Sequence, residues 1–226
     1  MEFLRVTLQA SQERLAALHR FYTETLGMDA RGRNVYDVGG TELAFETGPG
    51  EPFYHFALLV PGDRFDAALA WARQRVDLLP GGDIDNVVFN FDNWNALACY
   101  FHDPAGNIVE LIAHHGVAEN GATGQFHVSE LRGFSELGLV GDPAPMANAL
   151  RQLGLEVWAG VTDEPNRLAF LGERGRALIL APVGRGWLPT GRPAQSFPVD
   201  VVLTGPPYGE VTTGGHRVRR APARGI

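Results

Sequence analysis

The sequence predicts an α+β protein built by repeating one small unit of strand, helix and further strands. Two observations predict it. Apolar residues switch between the period of a strand and the period of a helix in a fixed order, and that order starts three times along the chain. Glycine and proline punctuate nearly every junction.

In the first unit, residues 3–9 alternate as a half-buried strand does, with Phe3, Arg5, Thr7 and Gln9 on one side and Leu4, Val6 and Leu8 on the other. Ser11 is placed to cap a helix whose apolar face is Leu15, Leu18, Tyr22 and Leu26, and Gly27 is placed to stop it. Strands at 34–38 and 41–46 follow, joined by Gly39-Gly40, a hairpin signal. The second unit repeats the order. It has a strand at 54–60, a Pro61-Gly62-Asp63 turn, and a helix carrying Phe65, Leu69, Trp71, Ala72 and Val76 that ends before Pro80-Gly81-Gly82. Strands at 86–91, 96–101 and 107–113 complete it, the last two joined by an Asp103-Pro104-Ala105-Gly106-Asn107 turn.

Residues 116–127 are small and polar and read as a linker. The third unit then runs through a strand at 134–140, a helix at 145–153 stopped by Gly154, and strands at 155–158, 167–171 and 177–181. Residues 184–193 are loop-like. Strands at 199–204 and 216–220 follow with no fourth helix, so the second half reads as one complete unit plus a shortened one.

A chain of 226 residues with 45% hydrophobic residues holds one large domain or two small ones around a sizeable core. Its net charge of -7 argues against a nucleic-acid partner, and the basic run His216–Arg220 reads as a solvated strand or tail. The one cysteine, Cys99, excludes an intrachain disulfide and a cysteine-rich zinc site. No apolar run approaches a membrane span and no secretory signal is visible, so the expectation is a cytoplasmic protein with no membrane partner.

Three segments, Phe21–Met28, His55–Val60 and Tyr100–Leu111, resemble in order and spacing the glyoxalase, bleomycin-resistance and extradiol-dioxygenase group, the vicinal oxygen chelate superfamily. The resemblance covers about residues 1–115. It implies paired βαβββ modules, with mixed or antiparallel curved sheets and helices on the outer face. Residues 1–115 would then form a complete domain whose two units share a cleft, with 116–127 the linker and 128–226 a degenerate second copy. It also implies a divalent metal (Zn, Ni, Mn or Fe) that acts on a substrate with neighbouring oxygens as a lyase, isomerase or dioxygenase. The resemblance is the sole ground for expecting a homodimer.

Matched to the family pattern, His55, Glu110 and Glu42 are the implied ligands, with Glu42 also the proton carrier. Arg5 departs, standing where the family has His or Gln. Strand parity independently sets Glu42, His55 and Glu110 on the face opposite the helix-packing residues, beside Arg5, Thr7 and Gln9. Arg5 either replaces the metal by pairing the carboxylates, or points away while Gln9 or His102 completes the site. Thr7, Gln9 and Tyr100 are the expected substrate contacts. In the second half, Ser135 falls where the strand-one ligand would stand, which predicts a metal-free copy there. Three functions stay open: the metal enzyme, a metal-free small-molecule or antibiotic-sequestering protein, and a structural or assembly role with an inert cleft.

Overall fold

The computed structural model describes residues 1–81 and 86–223. The first unit comprises β1 (Phe3–Ala10), α1 (Leu15–Arg20), β2 (Ala30–Gly32), β3 (Val35–Val38) and β4 (Thr41–Thr47). The second comprises β5 (His55–Val60), α2 (Phe65–Arg73), β6 (Phe89–Phe91), β7 (Ala96–His102) and β8 (Ile108–His114). The third comprises β9 (Phe134–Gly141), α3 (Pro143–Leu150), β10 (Val157–Gly160), β11 (Ala169–Glu173) and β12 (Arg176–Pro182). A small hairpin, β13 (Gly186–Trp187) and β14 (Arg192–Pro193), precedes β15 (Asp200–Thr204), β16 (Gly209–Thr213) and β17 (His216–Ala221).

Several local expectations change in detail. Ser11 does not cap by its side chain: its carbonyl accepts from Arg14 N at 2.9 Å, while its buried Oγ has no partner. The first helix continues past Arg20 as a single wider turn, in which Leu26 N reaches Phe21 O at 2.9 Å. The strand expected at 86–91 begins only at Phe89, and Gly82 of the predicted turn lies outside the described residues. Strand β16 was not anticipated, because its Gly-Glu-Val-Thr-Thr has little apolar alternation. Among the described residues no helix is long and apolar enough to cross a membrane.

The units do not pair in chain order. One sheet runs β16-β17-β15-β1-β4-β3-β2 and the other β10-β11-β12-β9-β5-β8-β7-β6. Strand β1 lies antiparallel to β15, and β5 antiparallel to β9. The first unit therefore shares a sheet with the shortened fourth, and the second with the third. This corrects the expectation that the first two units curl into one cleft: each sheet draws on both halves of the chain.

Both central pairings contain a bulge. Phe3 faces Leu203 but Arg5 faces Val202, so Leu4 is the extra residue. Leu58 faces Phe134 but Ala57 faces Glu136, so Ser135 is the extra residue. An inserted residue resets the side-chain alternation. Phe3 and Phe134 thus turn into the core, where their rings lie 5.8 Å apart and link the two sheets. Val6, Leu8, Leu43 and Phe45 of one sheet, and Phe56, Leu58, Val109, Leu111, Leu137 and Leu139 of the other, join the helices in one apolar cluster. The opposite face of the eight-stranded sheet carries a second cluster that includes Ala57, Tyr100, Ile112, Ile179 and Trp187.

The Gly39-Gly40 hairpin forms as expected, with φ of 54° and 93°. A Cβ on Gly39 would sit 2.2 Å from Leu131 O, whereas nothing lies within 4 Å of one on Gly40. Both substitutions strain the turn, but only one collides with the segment leading into β9. Gly39→Ala should therefore lose more stability than Gly40→Ala, by roughly 1–3 kcal/mol, in paired chemical-denaturation curves. Equal losses would show that the turn does not press on residues 131–133.

Candidate metal centre

Strands β8, β5 and β9 lie side by side, and their register sets one row of side chains. Glu110 faces Ala57 across the parallel pair, and Ala57 faces Glu136 across the antiparallel pair. Residues opposite one another share a face of the sheet. Alanine offers only a methyl, so the two carboxylates converge above it. His55, two residues before Ala57, points to the same side. The three buried residues each bring a ligand atom to within 4.8 Å of the others.

The turn after β7 fixes His55. Asp103 Oδ1 accepts from Ala105 N and Asn107 N, and Oδ2 from Asn107 Nδ2 at 2.7 Å and Tyr22 Oη at 2.9 Å. Asn107 Oδ1 in turn accepts from Tyr54 N at 2.8 Å, and Ile108 N donates to Tyr54 O at 2.8 Å. The start of β5 is thereby tied to the start of β8, which sets Ile108 O 3.1 Å from His55 Nδ1. A carbonyl only accepts, so Nδ1 carries the proton and Nε2 keeps its lone pair for the cluster. Burial pushes the His55 pKa down to about 4, partly offset by this bond, and the nearby Arg185 charge lowers it further.

The carboxylates are displaced the other way. Burial pushes Glu136 up to about 8. Burial and the neighbouring Glu136 charge hold Glu110 well above the usual carboxylate range, against a hydrogen bond from Tyr100. Tyr100 stands opposite Glu110 in register on β7. Glu110 Oε2 lies 3.5 Å from His55 Nε2. With a neutral imidazole that contact is an ion pair in neither direction, and the cluster holds two buried acids with no arginine paired to them among the described residues.

The β13–β14 hairpin covers the cluster. The Trp187 ring lies 4.9 Å from the His55 ring, and its edge passes 2.9 Å from where a Cβ on Gly138 would stand. Arg192 braces the hairpin, its guanidinium 3.3 Å from the Phe53 ring centre and its Nη1 donating to Gly106 O at 3.0 Å. Beneath lies a cavity of about 450 Å³ with His55, Glu110 and Glu136 on its floor and Trp94, Phe170 and Arg185 among its walls.

The residues expected together are split between the sheets. His55, Glu110 and Tyr100 line this cavity. Arg5 and Glu42 pair across β1 and β4 in the other sheet, where Arg5 Nη1 meets Glu42 Oε2 at 3.1 Å and Arg5 Nε donates to Thr7 Oγ1 at 3.3 Å. Gln9 N donates to Tyr54 Oη on that side. None of Arg5, Thr7, Gln9 or Glu42 lines the cavity. The expectation that Arg5 bridges Glu42 and Glu110 is corrected by the topology, since β1 and β5 never share a sheet. His102 flanks the turn, its Nδ1 3.3 Å from Asn107 O.

Glu136 is the residue that sequence reasoning missed: it brings a carboxylate from the second half, expected to be metal-free, into this cluster. Even alternation along 134–140 sets Phe134 and Glu136 on one face. The bulge separates them, sending Phe134 to the core and Glu136 to the cluster. An acid inside an otherwise apolar strand was the available signal.

No family model and no curated protein matches the chain. Among solved structures, a putative dioxygenase from Bacillus subtilis subsp. subtilis str. 168 superposes over 99% of this chain and 86% of its own, with a TM-score of 0.59 at 15% identity. Glyoxalase I from Zea mays superposes over 98% and 92%, with a TM-score of 0.56 at 14% identity. The chain shares the fold of these two structures. Within that fold its paired βαβββ modules set His55 and Glu136 on the first strands of two joined units and Glu110 on a last strand. On the far side of Glu136 the row ends in an apolar residue, because the β12 residue opposite it is Ala177.

Two predictions follow from this geometry. Asn107→Ala removes the acceptor for Tyr54 N and should cost about 1–3 kcal/mol, read by thermal or chemical unfolding. The second concerns pH. Glu136 titrates near 8 in the folded chain against 4.5 as its ordinary value, so the folded state keeps a proton that the unfolded state has lost. Stability then falls as pH rises between those values. His55 and His114, both depressed to about 4 from 6.5, oppose this only below pH 6.5. From pH 6.5 to 8 the chelator-stripped protein should lose at least roughly 1–2 kcal/mol, since Glu110, also held above the carboxylate range, acts in the same direction; Glu136→Gln should lessen the slope and the Glu110→Gln, Glu136→Gln double variant should flatten it. A flat wild-type profile would contradict the buried acid.

Proposed function

We propose that the protein is a metal-dependent enzyme of the glyoxalase and dioxygenase-like group, acting on a small molecule with two neighbouring oxygens. The observation that carries the reading is the buried His55, Glu110 and Glu136 set on the floor of a cavity. Two adjacent buried carboxylates are costly unless protonated or matched by a cation. The donor set of one imidazole nitrogen and two carboxylates suits Mn, Fe, Ni or Zn. When bound, such an ion supplies Lewis acidity to two adjoining substrate oxygens.

The chain's own groups then have separate tasks. His55 offers Nε2 in the correct tautomer because Ile108 O holds Nδ1–H. Tyr100, opposite Glu110 in register, turns its hydroxyl to that carboxylate and favours its ionised form. Trp187 and Leu188 form the cover that limits water at the floor. The metal-free alternative rested on an arginine between the acids. Arg5 meets Glu42 in the other sheet instead, so Arg5 is not the cation of this cavity.

Protein stripped with a chelator and reloaded in turn with Mn²⁺, Fe²⁺, Ni²⁺ or Zn²⁺ should retain about one ion per chain after desalting, read by elemental analysis. It should also melt at a higher temperature with at least one of them. His55→Ala and Glu136→Gln should abolish both effects. Indifference to all four ions, with the Glu110→Gln, Glu136→Gln double variant more stable than wild type at pH 8, would defeat the proposal.

A further inference from the structure

Of the three clustered side chains, His55 alone stands at the end of its strand. Glu110 and Glu136 lie inside β8 and β9, whereas His55 is the first residue of β5. Its backbone is paired on one side only. It faces Ile108 of β8, but the pairing with β9 starts one residue later, at Phe56 and Leu137. Strand ends open locally at little cost, and the tautomer of this imidazole depends on a carbonyl at the same end, Ile108 O. A well-placed Nε2 therefore needs a second grip.

The β13–β14 hairpin supplies it. Trp187 and Arg192 stand directly opposite each other there. The Trp187 ring lies 4.9 Å from the imidazole and presses on Gly138 of β9, where a Cβ would stand 2.9 Å from it. It bridges β5 and β9 just where their pairing stops. Arg192 acts on the other side. Its guanidinium lies 3.3 Å from the centre of the Phe53 ring, and its Nη1 donates to Gly106 O at 3.0 Å. Phe53 and Gly106 each precede a member of the His55–Ile108 pair by two residues, so one side chain spans both segments that lead into it.

Arg5, Arg64 and Arg217 each meet a carboxylate. Arg192, half-buried, has its contacts with a ring face and a carbonyl instead. Both contacts favour a flat guanidinium over an ammonium. We propose that Arg192, with Trp187 across the hairpin from it, is a positioning residue for His55: it clamps the two segments entering the His55–Ile108 pair, keeps Nδ1–H on Ile108 O and so keeps Nε2 turned to Glu110. The consequence for a bound ion rests on the metal reading; the consequence for the tautomer does not.

The test observes the imidazole itself. In chelator-stripped protein near neutral pH, heteronuclear NMR of the imidazole nitrogens should show His55 in one tautomer, protonated on Nδ1, its signals identified by their loss in His55→Gln. Arg192→Met keeps the packing on Phe53 and loses the bond to Gly106 O. It should show both tautomers and bind zinc about 10- to 100-fold more weakly, measured by competition with a chromophoric chelator. Arg192→Lys should recover part of each loss. An arginine that only stabilises the fold would lower the melting temperature and leave tautomer and zinc affinity alone, and that result overturns the inference. Two tautomers in wild type overturn it as well. Where Arg192→Met does not fold, Arg192→Lys carries the test, and a tautomer unchanged by it is equally fatal. The two readings fail separately. Zinc retained by wild type with both readouts indifferent to Arg192 sinks this inference alone. A tautomer that depends on Arg192 in a protein that retains no metal sinks the metal reading and leaves the positioning role standing.

Discussion

Two glutamates forced side by side in a dry row are the constraint from which the rest of the site follows. Glu110 and Glu136 flank Ala57 on three hydrogen-bonded strands, and no rotation of the sheet can part them. Each raises the cost of ionising the other, on top of the loss of water. The surrounding structure is arranged to accept this. A neutral imidazole is locked with its lone pair inward, a tyrosine hydroxyl bears on one acid, and a tryptophan ring packs against the imidazole. These are the conditions under which a cation is the cheapest remedy.

The seven-stranded sheet presents the same arrangement solved differently. Arg5 faces Glu42 across β1 and β4 as Ala57 faces Glu110 across β5 and β8. By register, then, Arg5 corresponds to the alanine and not to the histidine. Its guanidinium fills the space that the methyl of Ala57 leaves open, and Val202 stands across from it where the other sheet has Glu136. Nearby, Asp200 pairs with Arg217 and Arg219. That face is a half-exposed lattice of ion pairs, satisfied by its own side chains.

The sequence made much of this legible, for local reasons. Period-two and helical patterns located the units, the glycine pair marked the β3–β4 hairpin, and alternation set His55 and Glu110 opposite Phe56, Leu58, Val109 and Leu111, as observed. Partner choice was hidden. Nothing in β1 or β5 states which distant strand will lie beside it, since every first strand has similar apolar spacing. The bulge at Ser135 was hidden as well, because a one-residue reset depends on the neighbouring strand. Those two unknowns together concealed Glu136 and brought Arg5 into the wrong company.

The crossed pairing of units has a bearing on how the chain assembles. Each sheet joins strands from opposite ends of the sequence, so contacts span long stretches and their closure delays folding. Severing the backbone within 116–127 would give an amino-terminal fragment holding His55 and Glu110 and a carboxy-terminal fragment holding Glu136. Neither piece would own a finished sheet. By that strand order each fragment would complete the other's sheets, and His55, Glu110 and Glu136 would stand together only once the two had recombined.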